Sequence, residues 1–482
     1  METVISRTER DAIGSRELPQ EALFGINTLR AVENFPISGV GLDHFPDLIR
    51  ALAMVKYASA KSNCDLGTLD VKRADQILVA CLEIIEGQHH KHFVVDMIQG
   101  GAGTSTNMNA NEVIANICAI KSDKKLGTYD PVHPNDHVNM SQSTNDVYPT
   151  AIRLAVLESS KRLVSELERV ALSFGTKAIE FKKIKKVGRT QLQDAVPMTL
   201  GREFYSFSAA MDEEIARVVD LSKVLKTVNL GGTAIGTGIN TPEGYVKLAV
   251  EHLSTISGYD LRCADDLVDA SSDMGALVSF SGLLRRIAIK LSKICNDLRL
   301  LSSGPRTGFG EIELPAVQAG SSIMPGKVNP VIPEVVSQVA YQVVGNDMTI
   351  TMAAEAGQLQ LNAMEPIITY NLLESMRILE NAMRTLRTKC VDDIKANEGR
   401  CSELLANSLV LATLLVPELG YDVAAGVAKE AQKREVSIQE IVLERNLMSK
   451  KRFVDLINRE FASSAHNLPT RPTQDSKDSH RA

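Results

Sequence analysis

Tryptophan is absent from the 482 residues, and aromatic side chains make up only 4% of them. A core so poor in rings must pack on Leu, Ile, Val, Ala and Met, as helix-rich proteins do. Paired cysteines are also missing. The seven present, Cys64, Cys81, Cys118, Cys263, Cys295, Cys390 and Cys401, are odd in number, scattered, and never spaced as CxxC. That excludes a disulfide framework and a structural zinc site and leads us to expect reduced thiols. There is no cationic excess: the net charge is −6, which argues against a nucleic-acid partner. The apolar-rich stretch from Leu404 to Val416 contains Asn407 and Ser408, ends at Pro417, and is too short to span a bilayer. No basic segment leads into an apolar run near the N-terminus, so no signal peptide, no membrane partner and a cytoplasmic location are expected. The last residues form no organelle address, and no internal repeat is visible.

What is present has the balance of a soluble globular protein, 44% hydrophobic and 23% charged. At roughly 100–200 residues per domain, about three domains are expected. Residues 1–143 read as a mixed, mostly helical domain, 144–396 as a bundle of long helices, 397–462 as a small helical domain, and 463–482 as a disordered tail. The middle zone carries the clearest pattern. Leu277, Phe280, Leu284, Ile287, Leu291, Ile294, Leu298 and Leu301 alternate spacings of three and four, which predicts one apolar face of a long helix. Leu372, Met376, Leu379, Met383 and Leu386 repeat the pattern, as do Ile152, Val156, Leu163, Leu167, Val170, Phe174, Ala178 and Phe181. Long striped helices need partners, and other copies of the chain would supply them.

Five polar stretches stand out. Gly320 to Pro330 reads GSSIMPGKVNP: two serines, a Pro-Gly turn, Lys327 and Asn329. It is not a P-loop, because five residues separate Gly320 from Gly326-Lys327 and Val328 follows the lysine. Gly100 to Asn109 joins glycines to Thr104 and amides; Ser141 to Asp146 holds Ser143, Thr144 and Asn145; Gly188 to Ala195 holds Thr190 and Gln191. Gly231 to Gly238 resembles GxGxxG only loosely and follows no expected strand, so a dinucleotide site is not expected. Taken singly, such clusters are turns and helix caps. Together they are rich in neutral donors and poor in carboxylates, which suits a shared anion site. His89, His90 and His92 could suggest a metal, but no cysteine or carboxylate fork accompanies them, and a surface turn is the simpler reading.

The GSSIMPGKVNP loop, with its four companions in order, resembles the signature of the aspartase/fumarase superfamily, over about residues 9–450. Within it, Gly-Ala-Gly-Thr-Ser at 101–105, Gln191 where fumarases carry a histidine, Gln318-Ala319, residues 355–362 with Met364-Glu365-Pro366, and the stretch 23–35 look like the aspartase branch. The resemblance implies a mainly α, three-domain fold whose central long-helix bundle forms the core of a homotetramer, with active sites shared between subunits. It implies deamination of L-aspartate to fumarate without a required cofactor, a divalent cation being a possible activator.

By the same resemblance, Ser321 would be the general base. Thr104, Ser143, Thr144 and Ser322 would hold the carboxylate beside the reacting carbon. Lys327 and Asn329, with Thr190, would hold the other carboxylate, and Asn145 with Gln191 would orient the amine. Gln191 cannot shuttle a proton with Glu334 as a histidine could, which favours an amine over a hydroxy acid. The rival activity is fumarate hydration. A non-catalytic scaffold, as among lens crystallins, would be expected to lose Ser321 or Lys327, and both are present.

Overall fold

A computed structural model describes residues 6–320 and 322–466. The chain opens with an antiparallel hairpin, β1 (Ser6–Asp11) and β2 (Gly14–Pro19). Helices α1 (Ile26–Asn34), α2 (Pro46–Asp65), α3 (Val71–Ile85) and α4 (Thr104–Lys121) follow. The long helix α5 (Thr144–Glu180) leads to a second hairpin, β3 (Lys185–Thr190) and β4 (Gln193–Thr199), and then to α6 (Leu200–Leu221). Next come β5 (Thr227–Val228), α7 (Tyr245–Ser257), β6 (Arg262–Cys263), α8 (Leu267–Ala270) and α9 (Gly275–Leu301). Strand β7 (Ile312–Glu313), helices α10 (Val331–Glu355) and α11 (Glu365–Lys389), and strand β8 (Lys395–Ala396) precede the C-terminal group. That group is α12 (Glu398–Asn407), α13 (Val416–Leu419), α14 (Tyr421–Arg434), α15 (Ile438–Glu444) and α16 (Lys450–His466).

The apolar stripes become the core. All eight stripe residues of α9 are buried, as are the five of α11 and the eight from Ile152 to Phe181, which lie on α5 except for Phe181 just past its end. Helix α5 has 37 residues, about 55 Å at 1.5 Å per residue. The scarce aromatics are concentrated where α5 meets α6. Phe181 and Phe204 stand 5.1 Å apart edge to face, and Phe174 and Phe207 5.5 Å apart.

Contacts divide the chain into two compact units. One comprises Met1–Val164, Arg217–Arg286 and Tyr341–Leu379; the other comprises Ser165–Ala216, Ile287–Ala340 and Glu380–Ala482. The division falls inside each of the five long helices, α5, α6, α9, α10 and α11.

Two helix starts differ from a plain reading of proline as a breaker. Pro149 lies inside α5. It cannot donate to the carbonyl four residues back, that of Asn145. The Asn229 side-chain amide fills the gap, donating to the Asn145 carbonyl at 3.0 Å. Helix α10 begins at Val331, before Pro333 and Glu334. A first-turn proline is tolerated because its N–H would have had no helical partner.

The apolar stretch Leu404–Val416 bends at Ser408, whose hydroxyl accepts from the Val410 N–H. Val410, Leu411, Ala412 and Leu415 pack with Val427, Ile438, Ile441 and Phe453 in a C-terminal core. Among the described residues no single helix is long and apolar enough to cross a membrane. Helix α16 runs a turn into the expected tail, to His466; the rest of that tail, 467–482, lies outside the described residues.

Leu291 is fully buried on the α9 stripe. Leu291→Ala is expected to lower unfolding stability by ~2–5 kcal/mol in urea titrations, through lost transfer energy and a residual cavity. A cost below about 1 kcal/mol would show the stripe to be loosely packed.

Candidate active site

In the first unit the site grows from two helix N-termini. Gly101, Ala102 and Gly103 have positive φ (92°, 54° and 88°) and turn the chain sharply into α4. Gly103 cannot be replaced, because a Cβ there would fall 2.4 Å from the buried Tyr148 ring. Thr104 therefore opens the helix on the exposed side, its hydroxyl donating to the Gly101 carbonyl at 2.7 Å. Ser143 caps α5: its hydroxyl accepts from the Asn145 N–H at 3.2 Å. Both N-termini carry the positive end of a helix dipole and favour bound anions. The Asn145 amide nitrogen donates to the Ala234 carbonyl at 2.8 Å. Its side-chain oxygen is an acceptor, the polarity that a donor such as an ammonium requires.

The loop from Asn139 to Asp146 is fixed by two buried charges of opposite sign. Asp146, fully buried, accepts from Ser143 N–H at 2.9 Å, Gly231 N–H at 2.9 Å and Thr233 N–H at 3.1 Å. It thus ties the Ser143 turn to the glycine-rich 231–238 loop. Lys56 of α2, also fully buried, donates to the side-chain oxygens of Asn107 at 2.6 Å, Asn139 at 2.9 Å and Gln142 at 2.9 Å. It joins the first turns of α4 to the loop before α5. Burial lowers the Lys56 ammonium to about 7, against the raising pull of Asp146. Sequence reading passed over Lys56. The one available signal was a charge on the apolar face of α2, four residues from Leu52.

The second unit holds the remaining groups. Thr190 and Gln193 pair as the last rung of the β3–β4 hairpin, and Gln191 and Leu192 form its tip. Both tip residues have positive φ, 53° and 61°. Two-residue hairpins usually place Asn or Gly there, so this tip is strained. Strain of this kind tends to gather where a site needs a side chain aimed. An ion network holds the hairpin stem. Buried Glu311 pairs with Lys186 at 2.8 Å and with Arg189 at 2.9 Å, and Lys186 also reaches Glu203. Glu311 adjoins β7, which pairs with β8 and precedes the serine-rich loop in the chain.

That loop is pinched shut. A Cβ on Gly320 would overlap the Lys327 carbonyl oxygen, and Lys327 N–H closes a turn on the Met324 carbonyl at 3.2 Å. Ser322 and Lys327 are exposed, and Asn329 precedes α10. Ser321 lies outside the described residues. The structure therefore gathers Thr104, Ser143, Thr144 and Asn145 in one unit. Thr190, Gln191, Ser322, Lys327 and Asn329 stand in the other.

The histidines that could have suggested a metal are otherwise engaged. His89 meets Glu83 at 3.1 Å, His90 the Ile84 carbonyl at 2.8 Å, and His92 accepts from the Leu23 N–H. Burial holds His92 down at about 4. His133 accepts through Nδ1 from the Asn135 and Asp136 N–H groups, and His137 accepts from the His133 N–H. Among the described residues no group of three or more His, Cys, Asp or Glu could hold a metal ion.

Residues 14–345 match the profile of the Lyase family, and residues 411–460 match the fumarase C C-terminus. An aspartate ammonia-lyase of Pseudomonas aeruginosa is 54% identical over 467 residues, 97% of this chain and 98% of its own length. That of Helicobacter pylori is 50% identical over 460 residues, 95% and 98% of the two chains. That of Escherichia coli is 50% identical over 453 residues, 94% and 95%. Among solved structures, a fumarate lyase:delta crystallin from Brucella melitensis bound to cobalt is 54% identical with a TM-score of 0.93, covering 95% of this chain and 100% of that one. A class II fumarase from Schistosoma mansoni is 34% identical with a TM-score of 0.88, covering 94% and 98%.

Burial raises the Asp146 carboxyl from 3.8 to about 6, against the lowering effect of its three N–H donors. The folded chain thus keeps a proton that the unfolded chain has lost, so this contribution is complete below the unfolded value and vanishes as pH rises through the folded one. The stability of the wild type relative to Asp146→Asn should fall as pH rises from 3.8 to 6, by up to about 1.4 kcal/mol per pH unit. Urea midpoints of the two proteins measure this, and a difference that grows with pH would contradict it.

Proposed function

We propose that the chain, which belongs to the lyase family shared by aspartases and fumarases, is an aspartate ammonia-lyase, converting L-aspartate reversibly to fumarate and ammonia. Near-full-length identity of 50–54% to aspartate ammonia-lyases of three bacteria carries this reading. The orientation of the Asn145 amide supports it, since its nitrogen is held by the Ala234 carbonyl and its oxygen is the atom suited to an ammonium. The Cβ proton passes to a base, the Cβ electron pair forms the double bond, and the C–N pair leaves with nitrogen. No electrons are exchanged with a partner, so the chemistry calls for no redox cofactor.

In this reading Ser321 takes the proton. The loop's backbone donors and nearby positive charge would make its alkoxide accessible. Charge then spreads into the adjacent carboxylate as an aci-carboxylate dianion. Thr104, Ser143, Thr144 and Ser322 hold that group, and their preorganised hydrogen bonds strengthen as its charge grows. Lys327, Asn329 and Thr190 hold the second carboxylate, and Gln191 helps Asn145 with the amine. The cobalt in the Brucella melitensis structure supports a divalent cation as an activator. We place the enzyme in the cytoplasm.

We also propose a homotetramer whose sites draw residues from several copies. Tyr341, Val344, Met348 and Met352 form a stripe on α10 at 64%, 39%, 60% and 66% exposure. A helix face this apolar calls for a partner.

Fumarate absorbance is expected to rise when the protein meets L-aspartate and to stay flat with L-malate, with Ser321→Ala lowering kcat by at least about 10³-fold. A rise with malate alone would make it a hydratase. Mixing inactive Ser321→Ala with inactive Ser143→Ala under exchange conditions should restore part of the activity. No recovery after demonstrated subunit exchange would place both residues of each site on one copy.

A further inference from the structure

Lys56 has no task in the mechanism above, yet it is a fully buried ammonium bonded to the segments that carry Thr104 and Ser143. Removing an ammonium from water carries a penalty of several kcal/mol unless hydrogen bonds replace the lost hydration. Three charge-assisted bonds do so here, and each acceptor is a neutral amide oxygen. No carboxylate touches the ammonium among these contacts. Asp146, which attracts it through space, is itself occupied by three backbone N–H groups.

The acceptors lie where spacing matters. Asn107 is one turn into α4, the helix opened by Thr104. Asn139 and Gln142 lie in the loop that delivers Ser143, Thr144 and Asn145 to the start of α5. The Asn107 amide also donates to Asn139 at 3.1 Å, and Asn111 adds a further bond at 3.2 Å. The bonds of this knot tie α2, α4 and the 139–142 turn to one another.

We propose that Lys56 is a positioning residue of the deamination. It sets the spacing between Thr104 and the Ser143–Thr144 donors and keeps beneath them an ammonium whose direct contacts are neutral amides, before charge develops on the reacting carboxylate. This rests on the ammonia-lyase reading. A group that acts on the developing dianion alters turnover, whereas one that merely supports the fold alters binding and melting together.

The test compares wild type with Lys56→Met. Four quantities are read: kcat and KM for L-aspartate, the melting temperature, and inhibition by two probes. One probe is succinate, a ground-state dicarboxylate. The other is 3-nitropropionate, whose ionised nitronate mimics the aci-carboxylate. In the variant, kcat and nitronate affinity are expected to fall together by about 10²-fold, while KM and succinate affinity stay within about threefold. A kcat within threefold of wild type, or equal loss of both inhibitors, overturns the proposal. If Lys56→Met does not fold, Asn107→Asp and Asn139→Asp decide. Each keeps the shape and sets a carboxylate against the ammonium, and kcat should fall about tenfold with KM held. Unchanged kcat in both overturns the proposal. Wild type inactive on L-aspartate defeats the ammonia-lyase reading itself, an outcome separate from these.

Discussion

The first unit is organised around a loop caught between a buried cation and a buried anion. Lys56 holds one side of the Asn139–Asp146 segment through amide oxygens; Asp146 holds the other through backbone N–H groups. Neither charge is neutralised by direct contact with the other. Each is satisfied by dipoles, which have direction and so fix geometry where an ion pair would only fix distance. The helix that follows, α5, inherits its starting point from this loop and carries it for ten turns.

The second unit solves a similar problem with ions. Glu311, Lys186, Arg189 and Glu203 form a network with little exposed surface, and the hairpin stem hangs from it. The two anchors differ as their loads differ. The Ser143 turn opens a long, rigid helix. The hairpin tip, by contrast, must hold Gln191 and Leu192 in a backbone region that ordinary side chains avoid. A network of several charges resists the local relaxation that would relieve that tip.

Periodicity revealed the helices because apolar spacing of three and four has one physical meaning over many turns. Every stripe residue read from the sequence is buried. The motifs could also be read as donor-rich segments, and the resemblance they carry named the family. What stayed hidden depends on distant partners. Nothing local to Pro149 announces that Asn229 will stand in for its missing N–H. Lys56 looks like any helical lysine until α4 and the 139–142 turn close over it. Asp146 was in view but read as one polar residue among six, because its three donors come from two segments eighty-odd residues apart. Hydrophobic pattern is a local property, whereas satisfaction of buried polar groups is settled only by the finished fold.

The way the two units interleave along the chain has a consequence for biosynthesis. The first unit draws on three separate stretches and is incomplete until residue 379 has emerged. At about 5–20 residues per second, roughly 20–75 s pass between residue 1 and that point. Late in that interval the apolar faces of α5 and α9 are already made while α10 and α11 are still to come. The familiar order of domain-by-domain folding on the ribosome is closed to this chain. A slower ribosome lengthens the time for which those faces wait, so the interleaving makes the pace of synthesis part of the folding problem.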